Sequence, residues 1–391
     1  MPSPTGSRQF YLDWLRVLSI FLVFVYHALR IFGVEGFHIN NATVYAGVDN
    51  LGVVLTSLGM PLIFLVAGAS AYFSLNRYTP GRYLKDRALR LLVPFAAGLL
   101  THIPVLVYLE RVNHGDFNGS YFDFLPHYFE GLYGFGGNFA WMGLHLWFLL
   151  MLFVYTVISL PILLALRRGR VLDTIGRFLA KPAMIYLLAA PLIVLSVRLH
   201  PDTFGIRVFG GWNVFNYLLF LLYGFALVSH DGLRERIERD RWVSLVAALI
   251  MLMAGAMIWS GGALQYGTAR YPLFFTVQAL GAWCGLLAIW GFSIRYLNFG
   301  TLGLYLANEA VLPFYVLHQT VLIIVGYFVV QWAVPDWLKF SLIFAGSLGI
   351  IVGLYWFLIR PYNAVRFLFG MRPRATRPEP LPAGAKPGVT G

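Results

Sequence analysis

Long apolar stretches, each about the length needed to cross a membrane, recur along almost the whole of this 391-residue chain. A membrane-spanning helix needs about 20 consecutive, mainly apolar residues. Ten stretches meet this requirement, and each predicts one spanning helix. They are residues 14–34, 51–75, 88–109, 145–166, 183–199, 212–230, 242–261, 271–292, 310–332 and 338–360. The pattern therefore predicts an all-α polytopic membrane bundle of about ten transmembrane helices.

The composition supports a protein whose main partner is the lipid bilayer. Hydrophobic residues make up 59% of the chain and charged residues only 12%, against about 25% charged residues in a typical soluble domain. No small-residue cleavage site follows the first apolar stretch, so we interpret it as a retained helix and not as a signal peptide.

The net charge of +12 raises the question of nucleic-acid binding, but the distribution of basic residues favours a topological role. With ten spans, 23 of the 29 Lys and Arg residues fall on one side of the membrane. Basic residues concentrate on the cytoplasmic side of membrane proteins. We therefore predict no nucleic-acid partner and place both termini in the cytoplasm.

The same topology divides the chain into three parts. Residues 1–13 form a cytoplasmic N-terminus, and residues 14–360 form the transmembrane domain. Residues 361–391 form a cytoplasmic tail, which its Pro, Gly and Ala content predicts to be disordered from about residue 371.

The first apolar stretch contains the most informative polar pair, Arg16 and His27. Eleven residues correspond to about three helical turns, so both side chains lie on one face, about 16 Å apart along the axis. Ionisable residues inside a membrane helix indicate a functional site, and imidazole is suited to general-base catalysis. Asp13 can pair with Arg16 one turn away. The alternatives are a structural histidine and an arginine that reaches towards the membrane surface.

A second basic group, Arg82, Lys85, Arg87 and Arg90, opens the third apolar stretch. Arg87 and Arg90 are three residues apart and share a helix face. Arginine binds phosphate through two parallel hydrogen bonds, so a nucleotide or coenzyme A would fit. The alternative is charge that only sets the topology.

Three further histidines and one outer segment supply supporting candidates. His102 is predicted at about the depth of His27, His145 at the outer end of the fourth span, and His318 in the inner half of the ninth; a structural role is equally consistent for each. Residues 110–144 form a long outer segment that begins at the acidic residue Glu110, and such length is uncommon without a role. Its Tyr121 and Trp141 are candidates for stacking on a sugar, although both residue types also mark membrane interfaces.

Several catalytic patterns are absent from the sequence. We find no Gly-x-Ser-x-Gly elbow, no glycine-rich phosphate loop and no His/Cys spacing typical of zinc sites. We therefore predict neither covalent Ser or Cys catalysis, nor a metal site, nor a permanently bound cofactor.

Taken together, the motifs and their order resemble the acyltransferase-3 family of integral membrane acyltransferases, and within it the glucan-modifying branch. The resemblance extends over roughly residues 8–360. It is carried by residues 12–16 with His27, the segment 60–68, the Arg87-x-x-Arg90-x-x-x-Pro94 motif, the segments 145–149 and 315–318, and, for the finer match, residues 103–110. Ala67 departs from the serine that the family often has at this position.

The resemblance implies a reaction and a location. An acyl group, succinyl or acetyl, would pass from cytoplasmic acyl-coenzyme A to a hydroxyl of an extracytoplasmic carbohydrate such as a periplasmic glucan, in the bacterial inner membrane. It also implies that His27 is the catalytic residue, that Arg16 is needed beside it, and that Arg87 and Arg90 bind the donor.

Two other functions remain open at this point. The first is an acyltransferase acting on a lipid, on peptidoglycan or on a small metabolite, because specificity depends on the outer segment and on cavity shape. The second is a proton-coupled transporter, since intramembrane His and Arg also form proton relays; the internal repeats common in transporters are not visible here. The oligomeric state is not indicated.

Overall fold

The computed structural model describes residues 8–374 except residues 201, 203–209 and 263. The described residues are helical and contain no strand; one isolated bridge joins Leu132 and Phe139. The all-α prediction is therefore confirmed. The helices are α1 (Phe10–Arg30), α2 (Ala46–Arg77), α3 (Pro80–Thr101), α4 (Ile103–His114), α5 (Tyr121–Tyr128), α6 (Trp147–Leu166), α7 (Val171–Leu179), α8 (Ala189–Arg198), α9 (Val214–Leu227), α10 (Asp231–Ser260), α11 (Arg270–Tyr296), α12 (Leu302–Val329), α13 (Asp336–Leu354) and α14 (Asn363–Leu368).

Seven of the ten predicted spans are helices long and apolar enough to cross a membrane. Two more correspond to bent pairs: α3 and α4 meet at 43°, and α7 meets the segment Met184–Arg198 at 115°. Within the described residues the count is thus seven, or up to nine if each bent pair is one span. The remaining candidate, α9, has 14 residues and is only about 21 Å long, against about 30 Å of hydrocarbon. The count of ten and the sides of the termini stay predictions.

The bend between α3 and α4 occurs at His102, which ends one helix and precedes the next. Pro104 lies in the first turn of α4. Proline is accommodated there because the first-turn N–H groups have no helical partner, whereas inside a continuous helix it would break a hydrogen bond. The break in the predicted span 88–109 thus falls where Pro104 has no helical hydrogen bond to lose.

The two ends of the described chain differ from the predicted boundaries. Helix α1 begins at Phe10, four residues before the predicted span. In the predicted tail, α14 packs back on the bundle: Arg366 bonds to Glu309 of α12 at 2.9 Å, and Met371 is buried. Residues 1–7 and 375–391, and with them most of the segment predicted to be disordered, lie outside the described residues.

Helices α2 and α9 cross with their backbones in contact, through one glycine on each. A Cβ on Gly68 would come within 1.9 Å of the Leu221 carbonyl oxygen, and a Cβ on Gly224 within 1.9 Å of that of Leu65. Small residues allow such close approach in membrane helix packing. Helix α2 in turn packs against α1, and α1 also contacts α12, so this crossing supports the helices that surround Arg16 and His27.

We predict that Gly224→Ala lowers the free energy of unfolding by about 1–3 kcal/mol, because the new methyl group forces the two backbones apart. Gly349→Ala in α13 is the matched control, since a Cβ there meets nothing within 4 Å. Thermal unfolding of the purified protein in detergent measures both. Equal midpoints for the two variants would contradict the close crossing.

Candidate active site

Arg16 and His27 lie on one uninterrupted helix, α1. The spacing inferred from the sequence therefore applies: the two side chains share a face, about 16 Å apart along the axis. The site has two ends, a cationic end at Arg16 and an imidazole end at His27.

At the cationic end, three helices hold the Arg16 guanidinium. It donates to Ser70 of α2 at 2.8 Å and to Asn308 of α12 at 2.9 Å, and it lies 3.4 Å from the Asp13 carboxylate. Asp13 also accepts a hydrogen bond from Arg8 at 2.9 Å. Because two of the three partners of Arg16 are neutral and the third is shared with Arg8, this end of the site keeps a positive charge.

Arg87 and Arg90 add to the positive charge at this end. Arg87 is close enough to Arg16 for their positive charges to repel each other, and the charge of Arg90 is repelled by both. Arg90 donates a long hydrogen bond to the Gly370 carbonyl, at 3.4 Å, while Arg87 lies over the ring of Tyr83. The structure thus brings Arg16, Arg87 and Arg90 together.

The other two members of the predicted basic group lie further towards the start of α3. Lys85 is exposed, and the exposed Arg82 places its guanidinium 4.6 Å from the centre of the Tyr78 ring. Neither contributes to the electrostatic interactions with Arg16 described above.

At the imidazole end, His27 lines a cavity of about 130 Å³. Tyr26, Thr56, Met60 and Trp147 are among its other lining residues. The His27 ring stacks on Phe37, with 5.9 Å between ring centres. Its Nδ1 is buried and has no hydrogen-bond partner among the described residues. A buried imidazole at the wall of a cavity is in position to exchange a proton with a bound molecule.

The supporting histidines form a row that ends at His27. The ring centres are 6.3 Å apart between His102 and His145, 5.0 Å between His145 and His318, and 5.2 Å between His318 and His27. The depth expected for His102 suggests a shared cavity with His27; among the described residues, the His102 ring is linked to His27 through the rings of His145 and His318. Helix α12 begins at Leu302 and not near residue 310, so His318 lies past its middle.

His145 is held in a strained turn before α6. The preceding residues, Gly143 and Leu144, both have positive φ, 76° and 49°. For leucine this left-handed conformation costs about 1–2 kcal/mol. The turn buries the His145 ring, whose Nε2 donates to the Val316 carbonyl of α12 at 3.0 Å.

His38 is a part of the site that the sequence reasoning missed. It lies in the loop after α1, and its Nδ1 pairs with the buried carboxylate of Glu110. Its Nε2 accepts a hydrogen bond from Gln319 of α12 at 2.7 Å. The only sequence signal is indirect: a carboxylate predicted near the outer end of a span needs a partner, and His38 follows His27 closely along the chain.

Glu110 connects this centre to the outer segment. Besides His38, it accepts a hydrogen bond from Tyr133 at 2.9 Å and lies 3.4 Å from Arg111. Burial and the neighbouring Glu110 carboxylate raise the pKa of the Tyr133 phenol, so Tyr133 stays a hydrogen-bond donor. Arg111 also donates to Asn138 at 2.9 Å. Glu110 thus ties the outer segment to the bundle through a buried carboxylate, in addition to the packing of Phe124 and Tyr128 in the main hydrophobic core.

The two sugar-stacking candidates lie within this segment and away from the His27 cavity. Tyr121 begins α5, where Ser120 and Asp123 form a capping box, and hydrogen bonds from Ser120 lower the pKa of Asp123. The Tyr121 ring packs on Tyr108 at 5.6 Å, and Trp141 is 41% exposed. Neither lines the cavity beside His27.

Among the residues that the structure describes, no group of three or more His, Cys, Asp or Glu side chains is arranged to hold a metal ion.

Comparison with known proteins adds a family. The model of the acyltransferase-3 family, described as an acyltransferase domain, matches residues 9–356. The chain is also similar to glucans biosynthesis protein C of Salmonella heidelberg (strain SL476), at 23% identity over 95% of this chain and 97% of the relative. The protein of the same name from Escherichia coli O139:H28 is 24% identical over the same shares. No solved structure matches the chain.

We predict that Glu110→Ala destabilises the protein by about 3 kcal/mol or more, because it leaves His38 and Tyr133 without their shared buried acceptor. Asp116→Ala is the control. It removes a half-exposed carboxylate 3.6 Å from Arg111 and should cost less than about 1 kcal/mol. Thermal unfolding gives the stabilities, and limited proteolysis of residues 115–143 reports the attachment of the outer segment. Equal protease resistance in both variants would contradict the anchoring role of Glu110.

Proposed function

The chain belongs to the acyltransferase-3 family, and we propose that it moves a succinyl or acetyl group from cytoplasmic acyl-coenzyme A to a hydroxyl of an extracytoplasmic carbohydrate. The observation that carries the proposal is the two-ended site on α1, with a cluster of arginines about 16 Å from a buried imidazole. The names of the relatives suggest a glucan as the acceptor and their organisms suggest the bacterial inner membrane.

In this proposal the donor phosphates bind at the cationic end. Arg87 and Arg90 are the principal ligands, with Arg16 behind them and Arg82 and Lys85 at the rim. Guanidinium groups bind phosphate oxygens through strong, charge-assisted hydrogen bonds. The pantetheine arm then extends along α1 and brings the thioester to His27. Acyl-coenzyme A is a substrate here and no resident cofactor is needed.

His27 acts as the general base. Its Nε2 takes the proton from the acceptor hydroxyl as the oxygen attacks the thioester carbonyl carbon, and a new C–O bond forms. Collapse of the tetrahedral intermediate breaks the C–S bond, and His27 returns its proton to the leaving thiolate. Such proton transfer typically contributes 10²- to 10⁴-fold in rate.

The outer segment 110–144 holds the carbohydrate in this proposal. Tyr121 and the half-exposed Trp141 offer aromatic faces, and Glu110 links the segment to the histidine centre through His38. The acceptor hydroxyl would thus reach His27 from the side opposite to the donor phosphates.

We predict that His27→Ala abolishes acyl transfer, with a loss of at least about 100-fold, because the acceptor hydroxyl loses its general base. Membranes containing wild type or variant receive labelled succinyl- or acetyl-coenzyme A, and label in carbohydrate is measured. Thr320→Val serves as the control for a change of a buried polar residue in the bundle. Full activity in a correctly inserted His27→Ala protein would refute the assignment of the base.

We predict that Arg87→Gln and Arg90→Gln raise the KM for acyl-coenzyme A roughly tenfold or more with little change in kcat, because each loses a charged phosphate contact. Arg87→Lys should give an intermediate value, since lysine keeps the charge but not the two-pronged geometry. Arg295→Gln is the control: Arg295 is an exposed basic residue paired with Glu238 at 3.6 Å. If Arg295→Gln raised the KM as much, the effect would be one of general surface charge.

A further inference from the structure

We propose that His318 is the positioning residue of His27: its Nε2 accepts a hydrogen bond from His27 Nδ1–H and thereby turns the His27 Nε2 lone pair towards the cavity. This inference rests on the proposed function, in which His27 is the general base. It assigns to one member of the histidine row a role that neither the sequence nor the relatives specify.

His318 carries its ring hydrogen on Nδ1. Its Nδ1 lies 2.5 Å from the Tyr315 carbonyl oxygen. A carbonyl can only accept, so the hydrogen must be on Nδ1. In a neutral imidazole the other nitrogen then carries a lone pair. His318 Nε2 is therefore an acceptor, and it is buried with no partner among the described residues.

His27 carries a ring nitrogen that can donate the complementary hydrogen bond. Its Nδ1 is also buried and without a described partner. The two ring centres are 5.2 Å apart. Each ring nitrogen lies about 1 Å from its centre, so a turn of the His27 ring can bring its Nδ1 towards the fixed His318 Nε2, to about 3 Å at the closest, which is hydrogen-bond distance. One hydrogen bond then satisfies both buried atoms.

His38, Arg30 and His145 also lie near His27. The two nitrogens of His38 are bonded to Glu110 and Gln319. Arg30 on α1 can only donate, and it is held by Glu35 at 2.7 Å. His145 makes its ring contacts with His102, Tyr315 and His318. Among these groups His318 alone offers His27 both proximity and an open acceptor.

The hydrogen bond to His318 determines which nitrogen of His27 can accept a proton. A neutral His27 that donates from Nδ1 to His318 has its lone pair on Nε2. When Nε2 takes the hydroxyl proton, the same hydrogen bond stabilises the imidazolium. His318 itself is fixed by the Tyr315 carbonyl, and the Tyr315 hydroxyl is in turn bonded to the backbone carbonyl of His145. The orientation of His27 thus depends on the packing of α12 against the turn before α6.

The test compares two substitutions at His318: one keeps a hydrogen-bonding group at the position of Nδ1, and the other keeps one at the position of Nε2. In His318→Asn the amide can still donate to the Tyr315 carbonyl but does not reach His27. In His318→Gln the longer side chain places an acceptor oxygen near the former Nε2. Thr320→Val, on the same helix and with a buried hydroxyl that has no described partner, controls for disturbance of α12.

We expect His318→Asn to lower kcat roughly 10- to 100-fold, the scale known for partners that orient metal-binding histidines, with the KM values for donor and acceptor unchanged. His318→Gln should recover most of kcat, and Thr320→Val should match wild type. Unchanged kcat in His318→Asn, while His27→Ala is inactive, would overturn the inference. So would equal losses in the Asn and Gln variants accompanied by raised KM values, which indicate a structural role. An inactive wild type or an active His27→Ala would instead overturn the proposed function.

A second measurement does not depend on the folding of any His318 variant. ¹⁵N NMR of wild-type protein labelled at histidine, with the His27 signals assigned by their loss in His27→Gln, reports which ring nitrogen carries the hydrogen. The inference predicts a protonated Nδ1 and an unprotonated Nε2 in the neutral ring. The opposite tautomer would overturn it.

Discussion

The hydrogen bonds of Arg16 to Ser70 and Asn308 are the interaction on which the arrangement of the site depends. A guanidinium within an apolar bundle must have internal partners, because the hydrocarbon supplies none. Arg16 finds them on α2 and α12 as well as at Asp13 on its own helix. The three helices are thereby fixed around one charge. The same helices bring Thr56 and Met60 to the cavity beside His27, and His318 to its ring.

The polar groups at the imidazole end of the site follow the same constraint by different means. His38 and Glu110 pair with each other, and the rings of His145 and His318 are tied to backbone carbonyls. Each of these bonds also fixes which nitrogen atom is left open. Several buried ring nitrogens have no described partner, among them His27 Nδ1, His145 Nδ1 and His318 Nε2. Of these, His27 Nδ1 can donate to the acceptor His318 Nε2 on the neighbouring ring.

The sequence predicted most of the helices and the placement of Arg16 and His27 on one face of α1, because both depend on local spacing. Apolar length identifies spans such as α1 and α12, and the interval from Arg16 to His27 fixes their common face. The break at His102 and the 14-residue length of α9 lie within apolar stretches, so apolar length alone could not give them. His38 and the row through His145 and His318 are brought together by contacts between distant parts of the chain, such as the 281 positions between His38 and Gln319 and the 171 between His145 and Val316. No local pattern records such contacts.

The most direct test of a site that joins a cytoplasmic donor to an outer acceptor is transfer across a sealed membrane. Inverted vesicles, with the cytoplasmic face outside, would carry the acceptor carbohydrate trapped in the lumen, and labelled acyl-coenzyme A would be added outside. The account predicts label on the trapped carbohydrate with wild type and none with His27→Ala. Label only on carbohydrate added to the outside, or label independent of His27, would contradict it.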